Sequence, residues 1–393
     1  MTNKKITQLI HENFDDMISM RRYLHQNPEL SEEEFETSKT IATKLEEFGI
    51  PNKMMHPTGV LAEIKGAHPG KTVALRADID GLSVYQIDRD LEYRSKEDGK
   101  MHACGHDTHI SMLLGAAKAL NQVKEDINGT VRLIFQPAEE AAIGAKQMID
   151  QGAMDGVDNV FGIHIWSNGP TKTVSCPVGP SFAAADLFKV TFHGKAGHGA
   201  MPEQTQDATI MMAQYVNNVQ TIVSRACNPL HPAVCTVGKM ESGTRFNVIS
   251  GESYCEGTVR TFHADNRDII EEKLEKYAKH IAQMYGGTVE FEYNRMTEPV
   301  YNEEKSAKLV QKVTEEAFGE EANVLQPPTM GGEDFGYYML NTPGAFATVG
   351  SSKDESTSWP HHSGHFNVDE EALATGAELY AQYALAYLNQ EEF

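Results

Sequence analysis

Cys104 and His106 stand two apart in the run Met101-His102-Ala103-Cys104-Gly105-His106-Asp107-Thr108-His109. A thiolate and an imidazole at that spacing can reach one divalent ion, or two neighbouring ions, because Gly105 lets the backbone turn between them. Alone, the pair fits equally well a reduced, buried cysteine beside ordinary histidines. The segments downstream shift that balance. Asp78 and Asp80, Glu139 and Glu140, and His164 each lie at the end of an apolar run of strand character. Carboxylates two apart at a strand end point to one side. Adjacent carboxylates point in different directions, so Glu139 and Glu140 suit separate tasks. One can ligate, while the other takes a proton from water and returns it to a leaving amine. Cys104, His106, Glu140, His164 and His362 combine thiolate, imidazole and carboxylate, a donor set for Zn²⁺ or a similar ion. Five donors are more than one catalytic zinc needs, and they suit two ions bridged by the Cys104 sulfur. Paired ions polarise a carbonyl and acidify a shared water.

These side chains need elements to position them. Apolar spacing predicts one helix from Ile6 to about Asn27 and a second starting at a capping box, Ser31 to Glu34, and running to Phe48. Strand-like runs follow at 60–64, 72–77, 130–137 and 159–166, alternating with helical patterns at 110–120 and 141–151. That alternation predicts an α/β layer with a mixed, largely parallel sheet flanked by helices, and ligands of such sheets gather beyond the carboxyl ends of the strands. From 186 to 293 the order changes to β-α-β-β-α-β, the split ferredoxin-like pattern. The expected organisation is a discontinuous catalytic domain, 1–184 and 298–393, with an inserted dimerisation or lid domain at 185–297. An open sheet of the inserted kind leaves an edge for pairing with a second copy.

The chain has 393 residues, 40% hydrophobic and 23% charged, which is the balance of a globular protein with a sizeable core. Its formal net charge of -22 argues against nucleic acid or an anionic membrane surface as partner. No apolar run approaches membrane-spanning length, and the first twenty residues lack a signal-peptide core. Five scattered cysteines do not form a disulfide pattern, and a cytoplasmic location is expected.

The segments 76–82 (Arg-Ala-Asp-Ile-Asp-Gly-Leu), 101–107, 136–140 (Gln-Pro-Ala-Glu-Glu), 162–164 (Gly-Ile-His), 194–202 (Gly-Lys-Ala-Gly-His-Gly-Ala-Met-Pro), 246–249 (Phe-Asn-Val-Ile), 257–260 (Gly-Thr-Val-Arg), 331–335 (Gly-Gly-Glu-Asp-Phe) and 362–366 (His-Ser-Gly-His-Phe) carry a resemblance that spans nearly the whole chain. The chain resembles the metal-dependent amidohydrolase and metallopeptidase family of aminoacylases, carboxypeptidases and hippurate hydrolases. It is most similar to the hippurate hydrolase and auxin-conjugate (indoleacetyl-amino acid) hydrolase branch, which carries Cys-Gly-His where relatives use a bridging aspartate. The resemblance implies Cys104, His106, Glu140, His164 and His362 as metal ligands and Glu139 as general base and acid. It implies His198 as the oxyanion donor, acting from a dimerising inserted domain, and Asn247 and Arg260 as holders of the substrate carboxylate. Asp80 is expected to buttress the site and Asp78 to be structural.

Ser83, Ser250 and Gly364 stand where the family usually has proline, so loop geometry is expected to differ there. His361 and His362 are adjacent, and the spacing to Phe366 favours His362. The expected activity is cleavage of an N-acyl amino acid amide by metal-activated water, with two ions per subunit, zinc or manganese, or else cobalt or nickel. A dipeptidase or carboxypeptidase with the same machinery is the nearest alternative. A catalytically silent metal- or ligand-binding protein is the remote one.

Overall fold

In the computed structural model, residues 2–88 and 90–389 are described. The chain divides into two compact units, one within Met1–Ser181, Tyr301–Pro327 and Asp334–Phe393, the other Phe182–Val300 with Pro328–Glu333. In chain order the elements are α1 (Thr2–Glu12), α2 (Phe14–Gln26), α3 (Phe35–Glu47), β1 (Asn52–Met54), β2 (Val60–Lys65), β3 (His68–Asp78) and α4 (His106–Gln122). Next come β4 (Asn128–Gln136), α5 (Gly144–Asp150), β5 (Asn159–Pro170), β6 (Val174–Ser175), β7 (Gly179–Phe182), β8 (Ala184–His193) and β9 (Gly197–His198). They are followed by α6 (Ala208–Arg225), β10 (Ala233–Ser242), β11 (Val248–Ile249), β12 (Glu252–Thr261), α7 (Ala264–Met284) and β13 (Thr288–Arg295). The series ends with β14 (Val300–Asn302), α8 (Glu304–Phe318), β15 (Gly344–Ser352) and α9 (Ala372–Leu388).

The first unit is built on a seven-stranded sheet in the order β1-β2-β4-β3-β5-β15-β6. The pairs β4–β3, β3–β5 and β5–β15 are parallel, and the flanking pairs are antiparallel. The sheet is therefore mixed, with its parallel part at the centre. Parallel strands buried on both faces read as continuous apolar runs, and Val73 to Asp78 of β3 are all buried. Helices α4 and α9 supply much of the covering layer, and α4 is buried along most of its length. At Gly376 of α9 a Cβ would lie 1.8 Å from the Met112 sulfur, so any side chain there would force Met112 of α4 to move. Phe161 stacks on Tyr383 with ring centroids 4.2 Å apart, tying β5 to α9.

Two local expectations fail, one through a local side-chain bond and one through partners distant in sequence. The single helix predicted over 6–27 is two helices broken at Asn13, whose side-chain amide donates to the Leu9 carbonyl at 2.7 Å. A short polar side chain competing for backbone groups interrupts the ladder. The predicted capping box at 31–34 does not form: α3 begins at Phe35 and Glu34 makes no side-chain cap. The Ser31 hydroxyl donates to Asp80 instead, and Glu34 turns to Thr58 and Ala138.

The second unit holds a four-stranded antiparallel sheet, β10-β12-β8-β13, with α6 and α7 packed on it. That order with this succession of elements is the ferredoxin-like arrangement read from the sequence. Ser250 makes its turn by hydrogen bonds, its hydroxyl reaching the Glu252 carbonyl at 2.6 Å, where a proline would stiffen the chain covalently. No helix among the described residues is long and apolar enough to cross a membrane.

Phe161→Ala is expected to cost about 3–5 kcal/mol, because it removes a fully buried ring from a packed layer. Denaturant unfolding monitored by tryptophan emission measures this.

Candidate metal centre

The centre forms where strands of the first unit's sheet end. β3 delivers Asp78 and, just beyond, Asp80; β4 ends at Gln136, before Glu139 and Glu140; β5 carries His164. Helix α4 begins at His106 itself, after Gly105 in a left-handed conformation (φ 92°). A Cβ on Gly105 would also meet Ile165 at 2.4 Å, so both the turn and the close packing require glycine.

Asp78, His106 and His109 form one group of donor atoms within 4.8 Å of one another, and three more such groups gather the predicted ligands. Cys104, His106 and His164 make one; Cys104, Glu140 and His362 make the second; His106, Glu139 and Glu140 make the third. The Cys104 sulfur lies 3.5 Å from His164 Nε2. His362 Nε2 lies 3.4 Å from Glu140 Oε1. Glu139 Oε2 and Glu140 Oε1 are each 3.9 Å from His106 Nε2, so both acids face the same imidazole rather than diverging as expected of adjacent residues. The positive φ at Ala138 (51°) turns the chain sharply just before them.

Hydrogen bonds outside the cluster orient its members. His106 Nδ1 donates to Asp80 at 3.2 Å, which turns Nε2 toward the donors. His164 Nδ1 donates to the Ile165 carbonyl at 2.6 Å, with the same consequence. A carboxylate or carbonyl behind a ligating histidine is the usual support of a metal site. Asp80 also accepts the backbone N–H groups of Glu139 and Glu140, at 3.2 and 3.1 Å. It thus buttresses the cluster, as expected.

Among the described residues, His106 Nε2 and Glu140 Oε1 are buried and make only the longer contacts given above. A buried polar atom left so is costly, and here two of opposite preference for charge face one small space. The field there favours a cation. Burial opposes charge on His106, but Asp78 and the hydrogen bond donated to Asp80 outweigh it and push the imidazole up to about 10. Burial, with Glu140 and Glu139 adding to it, drives the Cys104 thiol well above its ordinary range. Divalent cations reverse this, since a coordinating thiol is deprotonated outright. Thiolate, imidazole and carboxylate together fit a zinc-like ion, and the residues present fit the group.

Asp78 does more than end a strand. It accepts from His109 Nδ1 at 2.5 Å and from Arg76 at 2.7 Å. His109 Nε2 in turn accepts the Ile165 N–H at 2.8 Å, beside the ligand candidate His164. Arg76 also bonds Gln136 and Asp334, at 2.8 and 2.9 Å, so a buried charge network runs beneath the strand ends. Sequence patterns alone assign no role to His109, Arg76 or Asp334; the spacing of His109, three residues after His106 on one helix, is the signal that could have found it. His361 packs against Trp166 and Phe366, at ring centroid distances of 5.1 and 4.9 Å, while its neighbour His362 reaches Glu140. His362 has φ 65°, and its N–H bonds the Ala103 carbonyl at 2.9 Å. Gly364 is required nearby: a Cβ would stand 2.4 Å from the Tyr85 carbonyl oxygen.

The other predicted residues belong to the second unit. His198 in β9 pairs with Val248 of β11, and the Gly199 N–H bonds the Asn247 carbonyl at 2.9 Å, so His198 and Asn247 share one short ribbon. His198 Nδ1 accepts the Ala200 N–H at 3.0 Å, which puts the ring proton on Nε2. Arg260 in β12 hydrogen-bonds Thr258 and the Val259 carbonyl and is in no ion pair among the described residues. Burial holds its guanidinium below the usual value.

Comparison with known proteins agrees with this geometry. The family model described as peptidase family M20/M25/M40 matches residues 74–386. The chain is 40% identical over 380 residues to an N-acetyl-L-cysteine deacetylase of Bacillus subtilis, covering 96% of this chain and 89% of that one. It is 38% identical over 393 residues to thermostable carboxypeptidase 2 of Saccharolobus solfataricus, covering 98% and 99%. A solved Bacillus subtilis structure, described as a dinuclear metal binding peptidase of the M20 family, superposes with a TM-score of 0.84 at 35% identity, covering 96% and 99%. Donor groups and relatives together mark a metal-dependent amidohydrolase, and the chain belongs to peptidase family M20/M25/M40.

Proposed function

We propose that this chain hydrolyses the amide bond of N-acyl amino acids, with two divalent ions held by Cys104, His106, Glu140, His164 and His362. The carrying observation is that two three-donor groups share one atom, the Cys104 sulfur, with Glu139 set beside them. Cys104, His106 and His164 would hold one ion, and Cys104, Glu140 and His362 the other. When bound, such ions polarise the scissile carbonyl and lower the pKa of water. Glu139 then takes the proton of the attacking water and passes it to the leaving amine. Asp80 keeps the His106 lone pair directed inward. His198, with its proton on Nε2, suits donation to a tetrahedral oxyanion. Asn247 and Arg260 suit the substrate's free carboxylate, the arginine by a forked pair.

Zinc fits the thiolate; manganese, cobalt and nickel also accept this donor set. The apolar side chains of Leu230, Met240, Phe246 and Met284 are exposed, and β10 is a sheet edge, which supports pairing of the second unit with another copy of the chain. A carboxypeptidase or dipeptidase reading is favoured by the relative named as a carboxypeptidase, which matches over nearly the full chain.

The deciding experiment is hydrolysis of N-acetyl and N-benzoyl amino acids and of dipeptides by chelated protein refilled with Zn²⁺, Mn²⁺ or Co²⁺. Cleavage of the acyl amino acids, restored by metal, is expected; cleavage of dipeptides alone would favour the peptidase, and none with any metal would defeat both readings. Metal addition should also raise thermal stability, by about 4 kcal/mol at a thousandfold excess over Kd. Glu139→Gln should keep its metal and lose turnover on the order of a hundred- to ten-thousandfold; loss of metal instead would exchange the roles of the two glutamates. Asp80→Asn should weaken metal affinity about 10- to 100-fold, read by competition with a chromogenic chelator.

A further inference from the structure

The turn that carries Glu139 and Glu140 is held in an uncommon conformation. Ala138 has φ 51°, a value few residues with a side chain adopt. Such a conformation persists only where the surroundings over-determine it. Pro137 has no N–H to give. The next three N–H groups all end on buried carboxylates: Ala138 on Glu34 Oε1 at 2.8 Å, Glu139 and Glu140 on the two oxygens of Asp80. From the other side, Gly144 comes so near that a Cβ would lie 1.6 Å from the Pro137 carbonyl oxygen, and its N–H bonds the Ala138 carbonyl at 3.1 Å.

Glu34 is 0% exposed and is in no ion pair among the described residues. Burial pushes its carboxyl up to about 7, against the opposing effect of the Thr58 hydroxyl, which donates to Oε2 at 2.7 Å. It stands at the N-terminus of α3 yet makes no side-chain cap there. This glutamate, buried without a cation and making no cap for its helix, takes its own backbone N–H, the Thr58 hydroxyl and the Ala138 N–H of the turn.

We propose that Glu34 is a positioning residue: by holding the Ala138 N–H it fixes the turn that aims Glu139 and Glu140 at the donor cluster. This rests on the roles given above to those two acids. Asp80 sets the last two N–H groups of the turn, and Glu34 sets the first, where the strained φ lies. Without it the buried N–H has no acceptor and the turn can relax toward an ordinary φ, moving both acids.

The test compares Glu34→Ala, Glu34→Gln, Thr58→Val and Ser38→Ala in the full chain, loaded with the metal that gives activity. Glutamine keeps an oxygen for the Ala138 N–H. Ser38 lies on the same helix and accepts the Gly59 N–H at 2.8 Å, so Ser38→Ala loosens a helix contact while every hydrogen bond of the turn to Glu34 and Asp80 is kept. Glu34→Ala should lower kcat about 10- to 100-fold while KM changes less than about threefold, as a misplaced general base does. It should also release metal to a competing chelator about tenfold more readily, a readout independent of turnover. Glu34→Gln should restore kcat and metal retention to within about threefold of the parent, because hydrogen-bond geometry rather than charge is what it supplies. Ser38→Ala should lower the melting temperature and leave kcat unchanged. A folded Glu34→Ala with parental kcat and metal retention would overturn the proposal, as would a Glu34→Gln as impaired as alanine. Should Glu34→Ala not fold, Thr58→Val carries the test: kcat is expected to fall about three- to tenfold as the carboxylate loses its anchor, and no change would overturn the proposal. Full turnover by Glu139→Gln would instead strike the reading of the base and leave these comparisons standing.

Discussion

Asp80 is a fully buried carboxylate paired with no arginine or lysine among the described residues, and the fold compensates by giving each of its oxygens hydrogen bonds. One oxygen takes His106 and the Glu139 N–H; the other takes Ser31 and the Glu140 N–H. A buried charge must be satisfied in this way or it will protonate. The hydrogen bonds lower the carboxyl against the opposing effect of burial. The need to satisfy one charge therefore joins four separate chain segments, and the tautomer of His106 and the direction of the turn at 138–140 follow from it.

The same constraint recurs beneath the strand ends. Arg76, Asp78, Asp334 and Gln136 are all buried at the centre of the sheet. Each charge there is matched by another or by a hydrogen bond, and His109 extends the set toward His164. Replacing one partner of such a network leaves an uncompensated charge, so its members hold one another's geometry as well as their own. Helix α4 is placed by a second buried network, in which Arg21 and His25 of α2 flank Asp107, directly after His106. The histidines of the cluster are thus oriented by buried charge networks, and Asp78 of the first also lies 3.7 Å from His106 Nε2.

Two of the left-handed non-glycine residues lie at the donor cluster. Ala138 and His362 both have left-handed backbone, and both adjoin donor atoms. A residue forced off its preferred φ loses the freedom to swing away, which preorganises the donor it carries. In the second unit the equivalent device is the short β9–β11 ribbon, which holds His198 beside the chain segment of Asn247 and fixes its ring proton.

Much of this arrangement is legible in the amino-acid sequence. Placement of Asp80 and Glu140 just beyond strand ends follows from apolar runs ending in polar residues, and the β-α-β-β-α-β order from the change of periodicity after 185, whereas His164, expected at a strand end, lies within β5, which continues to Pro170. Residue type and spacing determined which side chains had metal chemistry. Other features depend on contacts between residues far apart in the chain, and no local pattern encodes those. Ser31 and Glu34 read as a capping box because their neighbours in sequence are all that a sequence shows; in space their partners are Asp80, Thr58 and Ala138. The shared direction of Glu139 and Glu140 and the chain from Asp78 through His109 to Ile165 are of that kind. Composition and spacing determined the chemistry available to this protein. Tertiary structure decided how that chemistry is aimed, because burying a charged group obliges the fold to bring it partners from wherever the chain can supply them.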